Sequence, residues 1–85
     1  MPDPTAPFFG LYRGRVMSAA DPQGQRRLQI ELPGVLGAEA VWALPCIPPG
    51  SRAKPATGAT VWVMFENGDL SLPVWVGVRP KNHAG

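Results

Sequence analysis

Along this chain, apolar and polar positions alternate in five short runs, each closed by proline, glycine or an Asn/Asp turn. From Phe9 to Met17, Leu11, Arg13, Arg15 and Met17 alternate with Gly10, Tyr12, Gly14 and Val16, the two-residue period of a strand. Gly14 inside that run predicts a bulge or bend, the device by which small barrels turn corners. Asp21-Pro22-Gln23-Gly24 is a turn: proline presets φ and glycine accepts a positive one. The run Arg27 to Leu32 then places Leu28, Ile30 and Leu32 on one face and Arg27, Gln29 and Glu31 on the other, so this strand has one dry and one wet side.

Pro33-Gly34 closes that strand, and the small residues from Val35 to Ala40 leave hardly room for a helix. Ala40 to Leu44 reads as a short third strand carrying Trp42, and Pro45 to Gly58, dense in proline, reads as a long irregular loop. Thr60 to Phe65 is strongly strand-like, with Val61, Val63 and Phe65 facing one way and Trp62 and Met64 the other. Asn67-Gly68 marks a tight hairpin turn, and Leu72 to Arg79 supplies the closing strand, with Val74, Val76 and Val78 opposite Trp75 and Gly77. The expected fold is all-β, a five-stranded barrel or a small sandwich, with the barrel favoured because closure removes most exposed strand edges. Residues 1–8 form an extended N-terminal arm, 9–79 the barrel and 80–85 a polar C-terminal tail.

Composition fits a folded chain: 45% of the 85 residues are hydrophobic and 16% charged, too apolar for a disordered segment. So short a chain buries only about 60–65% of its unfolded surface, and its core must be thin. No apolar run approaches the roughly 20 residues of a membrane-spanning helix, and the N-terminus lacks a signal-peptide pattern. Synthesis in a reducing cytoplasm is expected, because the single cysteine, Cys46, has no partner for an internal disulfide.

The candidate chemistry is sparse. Cys46 and His83 could in principle make a nucleophile and base, but nothing positions a third group and Cys46 in a proline-rich loop is more simply a small apolar residue. Glu66 and Asp69 belong to a turn, where polar residues are expected. No glycine-rich stretch precedes a helix, as a phosphate cradle requires. No enzyme activity, cofactor or metal is expected. The net charge of +2 is a small excess. Arg13 and Arg15, with Arg26 and Arg27 across the turn, could form a phosphate track, yet Asp21, Glu31, Glu39, Glu66 and Asp69 dilute it and make nucleic acid unfavoured.

Trp42, Trp62 and Trp75 could stack bases, but in so short a chain tryptophan more often supplies buried area in cores and interfaces. If the valines of the last two strands fill a narrow barrel, Trp62 and Trp75 face outward and need cover from another molecule. The long loop is the other candidate contact, since irregular loops of this length are uncommon in compact domains and proline lowers the entropy lost on docking. Deleting Pro48 to Ala56 is expected to leave the barrel folded while impairing assembly.

Several segments carry a resemblance: Phe9-Gly10-Leu11-Tyr12-Arg13-Gly14-Arg15-Val16, Trp42-Ala43 with Pro45, Gly58 to Asp69, and Pro73-Val74-Trp75-Val76-Gly77. Together they resemble the OB-fold domain of contractile-tail phage spike proteins, baseplate assembly protein V and the valine-glycine-repeat proteins of type VI secretion. The resemblance covers roughly Phe9 to Val78. It implies a non-enzymatic structural component of a tail baseplate in the virion or a related injection machine, assembling around the tail axis as a homotrimer, or a hexamer, with hub and spike-tip proteins. In larger relatives a β-helical spike, and sometimes a lysozyme domain, follows the barrel, whereas this sequence stops at Gly85; either a separate chain forms the tip or, the preferred reading, this barrel serves as a spike/hub adaptor or ring component, made in the host bacterial cytoplasm. The interface residues expected on this reading are Phe8, Phe9, Tyr12, Trp42, Pro48, Pro49, Trp62, Met64 and Trp75. A single-strand nucleic-acid-binding OB module is the alternative, and an accessory domain positioning a hydrolase a weaker third.

Overall fold

The structure, a computed structural model, describes residues 8–80. Five strands form: β1 (Tyr12–Ser18), β2 (Leu28–Glu31), β3 (Ala40–Pro45), β4 (Thr60–Phe65) and β5 (Pro73–Val78). They close into a barrel in the order β1-β2-β3-β5-β4, with β4 returning to β1. All neighbours run antiparallel except β3 and β5, where Leu44 aligns with Val74 and Pro45 with Trp75 in parallel. The fold is the all-β barrel that the alternation predicts, with Val35 to Ala38 making turns and no helix of useful length.

The interior is built from inward positions of every strand. Leu28, Ile30 and Leu32 come from β2 and its end, Val16 from β1, Ala43 from β3, and Val61, Val63 and Phe65 from β4. Each large aliphatic side chain so buried contributes about 1.5–3 kcal/mol through removal from water. Both faces of β1 and β4 follow the predicted alternation.

Gly14 is not the site of a bulge. It pairs regularly with Val61, and the irregularity of β1 lies further on, where Met17 has no partner between the Val16–Ile30 and Ser18–Gln29 pairs. Gly14 is required by packing instead: a Cβ there would stand 2.9 Å from Val63 Cγ2 and 3.2 Å from Ile30 Cδ1.

The β4–β5 connection is not a two-residue hairpin. Asn67 and Gly68 both take positive φ, 55° and 69°, as the Asn-Gly pair suggests. A second turn follows, however, closed by Leu72 N–H donating to Asp69 O at 2.9 Å, while Asp69 Oδ1 accepts from the Ser71 N–H and hydroxyl. Phe65 therefore pairs with Pro73, where a two-residue loop would have set Leu70 opposite it. The shift is odd, and an odd shift turns every side chain of a strand to the other face.

The consequence is a correction at Trp75. Its indole, expected outside, is 1% exposed and lies in the core, with Pro73 also inward and Val74 and Val76 half-buried. Its Nε1–H donates to Arg26 O at 3.3 Å. Two other inward positions, Gly14 and Ala43, carry almost no side chain, and Gly14 leaves room for Val63, the residue paired with Trp75.

Candidate interaction surface

The outward positions of four strands line up into one apolar row. Leu11, the residue just before β1, stands where an extension of the Tyr12–Val63 register would set it opposite Met64; Met64 pairs with Val74, and Val74 aligns with Leu44. Leu11 is 56% exposed, Met64 42% and Leu44 44%, with Leu72 also exposed. Single exposed apolar residues are ordinary, but a contiguous row crossing four strands marks a surface that association would cover.

Beside this row sit the two tryptophans that do point outward, each half-buried and each beneath an arginine. The Arg13 guanidinium carbon stands 6.0 Å from the Trp62 ring centroid, as their register pairing brings about. That of Arg27 lies 4.9 Å from Trp42. Such contacts supply about 0.5–1 kcal/mol at exposed sites and cover part of each ring from within the chain. Trp42 is on β3 and Trp62 on β4, with β5 between them, so they do not form one stacking platform.

Arg26 and Arg27 do not extend a track with Arg13 and Arg15. Arg27 forms a two-pronged ion pair with Asp21, NH2 to Oδ1 at 2.9 Å and Nε to Oδ2 at 3.1 Å. The same carboxylate accepts the backbone N–H groups of Gln23, Gln25 and Arg27. The Arg27 side chain, and then these N–H groups, hold the Asp21 carboxyl well below the ordinary carboxylate range. Asp69 is lowered too, by its bonds from Ser71. Arg26 donates to Ala53 O at 3.0 Å, joining the β1–β2 turn to the long loop.

The expected interface residues divide. Trp62, Met64 and Trp42 lie on the outer face. Phe9, Pro48 and Pro49 are exposed away from regular structure. Phe8 and Tyr12 instead cap one barrel end, their rings 6.1 and 5.4 Å from Phe65 in edge-on contact, so the last residue of the expected arm is part of the fold. Residues 1–7 lie outside the described residues. Trp75 belongs to the core and leaves the surface altogether. The sequence reading missed Leu11, Leu44, Val74 and Leu72; the alternation of β3 carried the signal for Leu44, but Val74 depended on the register of β5.

The long loop is only partly free. Residues 46–59 carry no strand or helix, Pro45 belonging to β3; Pro55 is buried, Ala53 is half-buried, and Gly58 and Ala59 exchange hydrogen bonds with Val16. Pro48 to Ala56 includes buried Pro55 and also Ala53, which packs against the core, while Pro48 to Gly50 and Ala56 to Gly58 are exposed. Cys46 is an exposed free thiol, and His83 lies outside the described residues. Among the described residues no group of three or more His, Cys, Asp or Glu side chains could hold a metal ion, and no helix is long and apolar enough to cross a membrane.

A family model described as the type VI secretion system/phage-baseplate injector OB domain matches residues 12–79, from the start of β1 to just past β5. No curated protein matches the chain.

Proposed function

The chain belongs to the type VI secretion system and phage-baseplate injector OB-domain family, and from that premise we propose that its barrel joins copies of itself around the axis of the injection machine. The family is a structural one, and membership makes the chain a component of a tail baseplate or related injector that assembles with other baseplate parts. Its role is mechanical. A closed barrel gives a rigid body, and rigidity lets a surface pattern set the geometry of a ring.

The observation that carries the ring proposal is the row Leu11, Met64, Val74 and Leu44, because it runs across the strands and covering it removes four apolar side chains from water together. A trimer is the preferred assembly, with hub and spike-tip proteins engaged through the loops. The test is absolute mass in solution by light scattering, with and without the candidate hub protein. The wild-type chain is expected to be oligomeric at micromolar concentration and Met64→Glu/Leu44→Glu monomeric with unchanged circular dichroism. A wild-type chain that stays monomeric in both conditions refutes the ring.

A further inference from the structure

We infer that the recess between the β1–β2 turn and the second half of the long loop is a docking site for an acidic peptide segment of a partner protein, one apolar side chain entering between flanking carboxylates. The recess holds about 250 Å³. Its floor is apolar, formed by Leu28, Pro55 and the edge of Trp75, and its rim carries three cations, Arg26, Arg52 and Lys54. Among the described residues no carboxylate lines it. The nearest acidic residue in sequence, Asp21, is already saturated by Arg27 and three backbone N–H groups, so it does not neutralise this rim.

Arg26 is fixed from both ends. Its carbonyl accepts the Trp75 indole N–H, its guanidinium donates to Ala53 O, and its backbone holds φ at 60°, a left-handed value rare for a residue with a side chain. A cation placed beforehand binds an anion with less ordering cost than a freely rotating one. Size and wall chemistry select the anion. A volume below the roughly 300 Å³ at which small-molecule pockets begin suits one side chain. Bases stack on an exposed ring face, and among the described residues that line the recess the one aromatic ring, Trp75, is buried. The cations therefore suit carboxylates on a peptide whose apolar residue reaches the floor.

This reading rests on the loop as a partner-docking element, and it concerns a different surface from the apolar row. The probe is a fluorescein-labelled peptide with one leucine between pairs of glutamates, followed by anisotropy on the full chain at low salt. Arg52→Glu/Lys54→Glu is expected to weaken binding about tenfold or more, whereas Arg13→Glu/Arg15→Glu, an equal change in net charge on the outer face of β1, leaves it within about twofold. Replacing the peptide's leucine by serine is expected to weaken binding about fivefold, because the apolar floor is then left uncovered. Near-UV circular dichroism from the tryptophans confirms that each variant folds. Equal loss in the two double charge reversals reduces the effect to net charge and overturns the proposal, as does indifference to the leucine. Tighter binding of oligo-dT than of the peptide assigns the rim to phosphate and overturns it as well, and so does undetectable peptide binding. The two readings fail separately: Met64→Glu/Leu44→Glu changes the mass in solution without touching peptide affinity, and Arg52→Glu/Lys54→Glu does the reverse.

Discussion

Val61-Trp62-Val63 in β4 and Val74-Trp75-Val76 in β5 are the same tripeptide on neighbouring strands, and the barrel uses them in opposite ways. In β4 the valines fill the interior and Trp62 lies outside beneath Arg13. In β5 Trp75 fills the interior and the valines form part of the outer wall. What separates them is register. The second turn at Asp69 to Leu72 sets β5 over by an odd number of residues, and Val63 then faces Trp75 across the sheet. A further irregularity between Trp62 and Val63 leaves Val76 as the extra residue, with Gly77 opposite Trp62. An identical local sequence thus has no fixed side; the turn that introduces it does.

The comparison breaks most visibly by truncating each tryptophan in turn. Trp75→Ala should cost about 3–5 kcal/mol, the range for emptying a fully buried aromatic site. In a domain whose whole stability is of the order of 5–15 kcal/mol, that can unfold it. Urea unfolding followed by far-UV circular dichroism gives the difference; a loss below about 1 kcal/mol would contradict the buried assignment.

Asp21→Asn acts on the Trp75 side alone, because Asp21 organises the turn whose Arg26 carbonyl accepts the indole N–H. The sign follows from the depressed carboxyl. The unfolded chain binds the proton more readily, so the stabilisation is complete above a free aspartate's pKa of about 3.9 and is lost as pH falls through that value toward the folded one. The variant should be less stable at neutral pH and show a flatter loss below about pH 4. Acid titration of the near-UV signal checks it, and superimposable wild-type and variant profiles would remove Asp21 from this role.

Gly14→Ala sharpens the comparison from the interior. Its methyl meets Val63, the residue paired with Trp75, and overpacking of this kind costs about 1–3 kcal/mol. Combining it with Val63→Ala should recover part of the loss, a coupling that a double-mutant cycle in urea measures directly. If the two effects simply add, the close approach is not what requires glycine.

The smallest effect belongs to Trp62→Ala, about 1 kcal/mol or less, since its ring is half-buried and held by one cation–π contact. Acrylamide should quench Trp62 readily in the monomeric Met64→Glu/Leu44→Glu variant and leave Trp75 protected, which Trp42→Phe and Trp62→Phe backgrounds that keep Trp75 resolve by difference.

Much of this molecule was legible before any fold was known. Period-two alternation located all five strands to within a few residues, and the dry face of Leu28, Ile30 and Leu32 was readable because β2 is wet on its other side. In β5 both faces are apolar, so hydrophobicity does not distinguish inside from outside. Both faces of β4 are apolar as well, so placing the valines of both strands inward was one assumption, which the register makes correct at Trp62 and Met64 and wrong at Val74 and Trp75. Gly14 gave a true signal of constraint with the wrong cause, since a glycine in a strand marks a bulge and a close contact alike.

By itself the sequence determined where the chain extends and where it turns, because those choices rest on backbone preferences and local alternation. Only the tertiary structure decided which side of β5 faces the core and that Arg27 belongs to Asp21. It also decided that Arg26, Arg52 and Lys54 share one rim. Each of these depends on the register and closure of strands distant in sequence, which no local window of residues encodes.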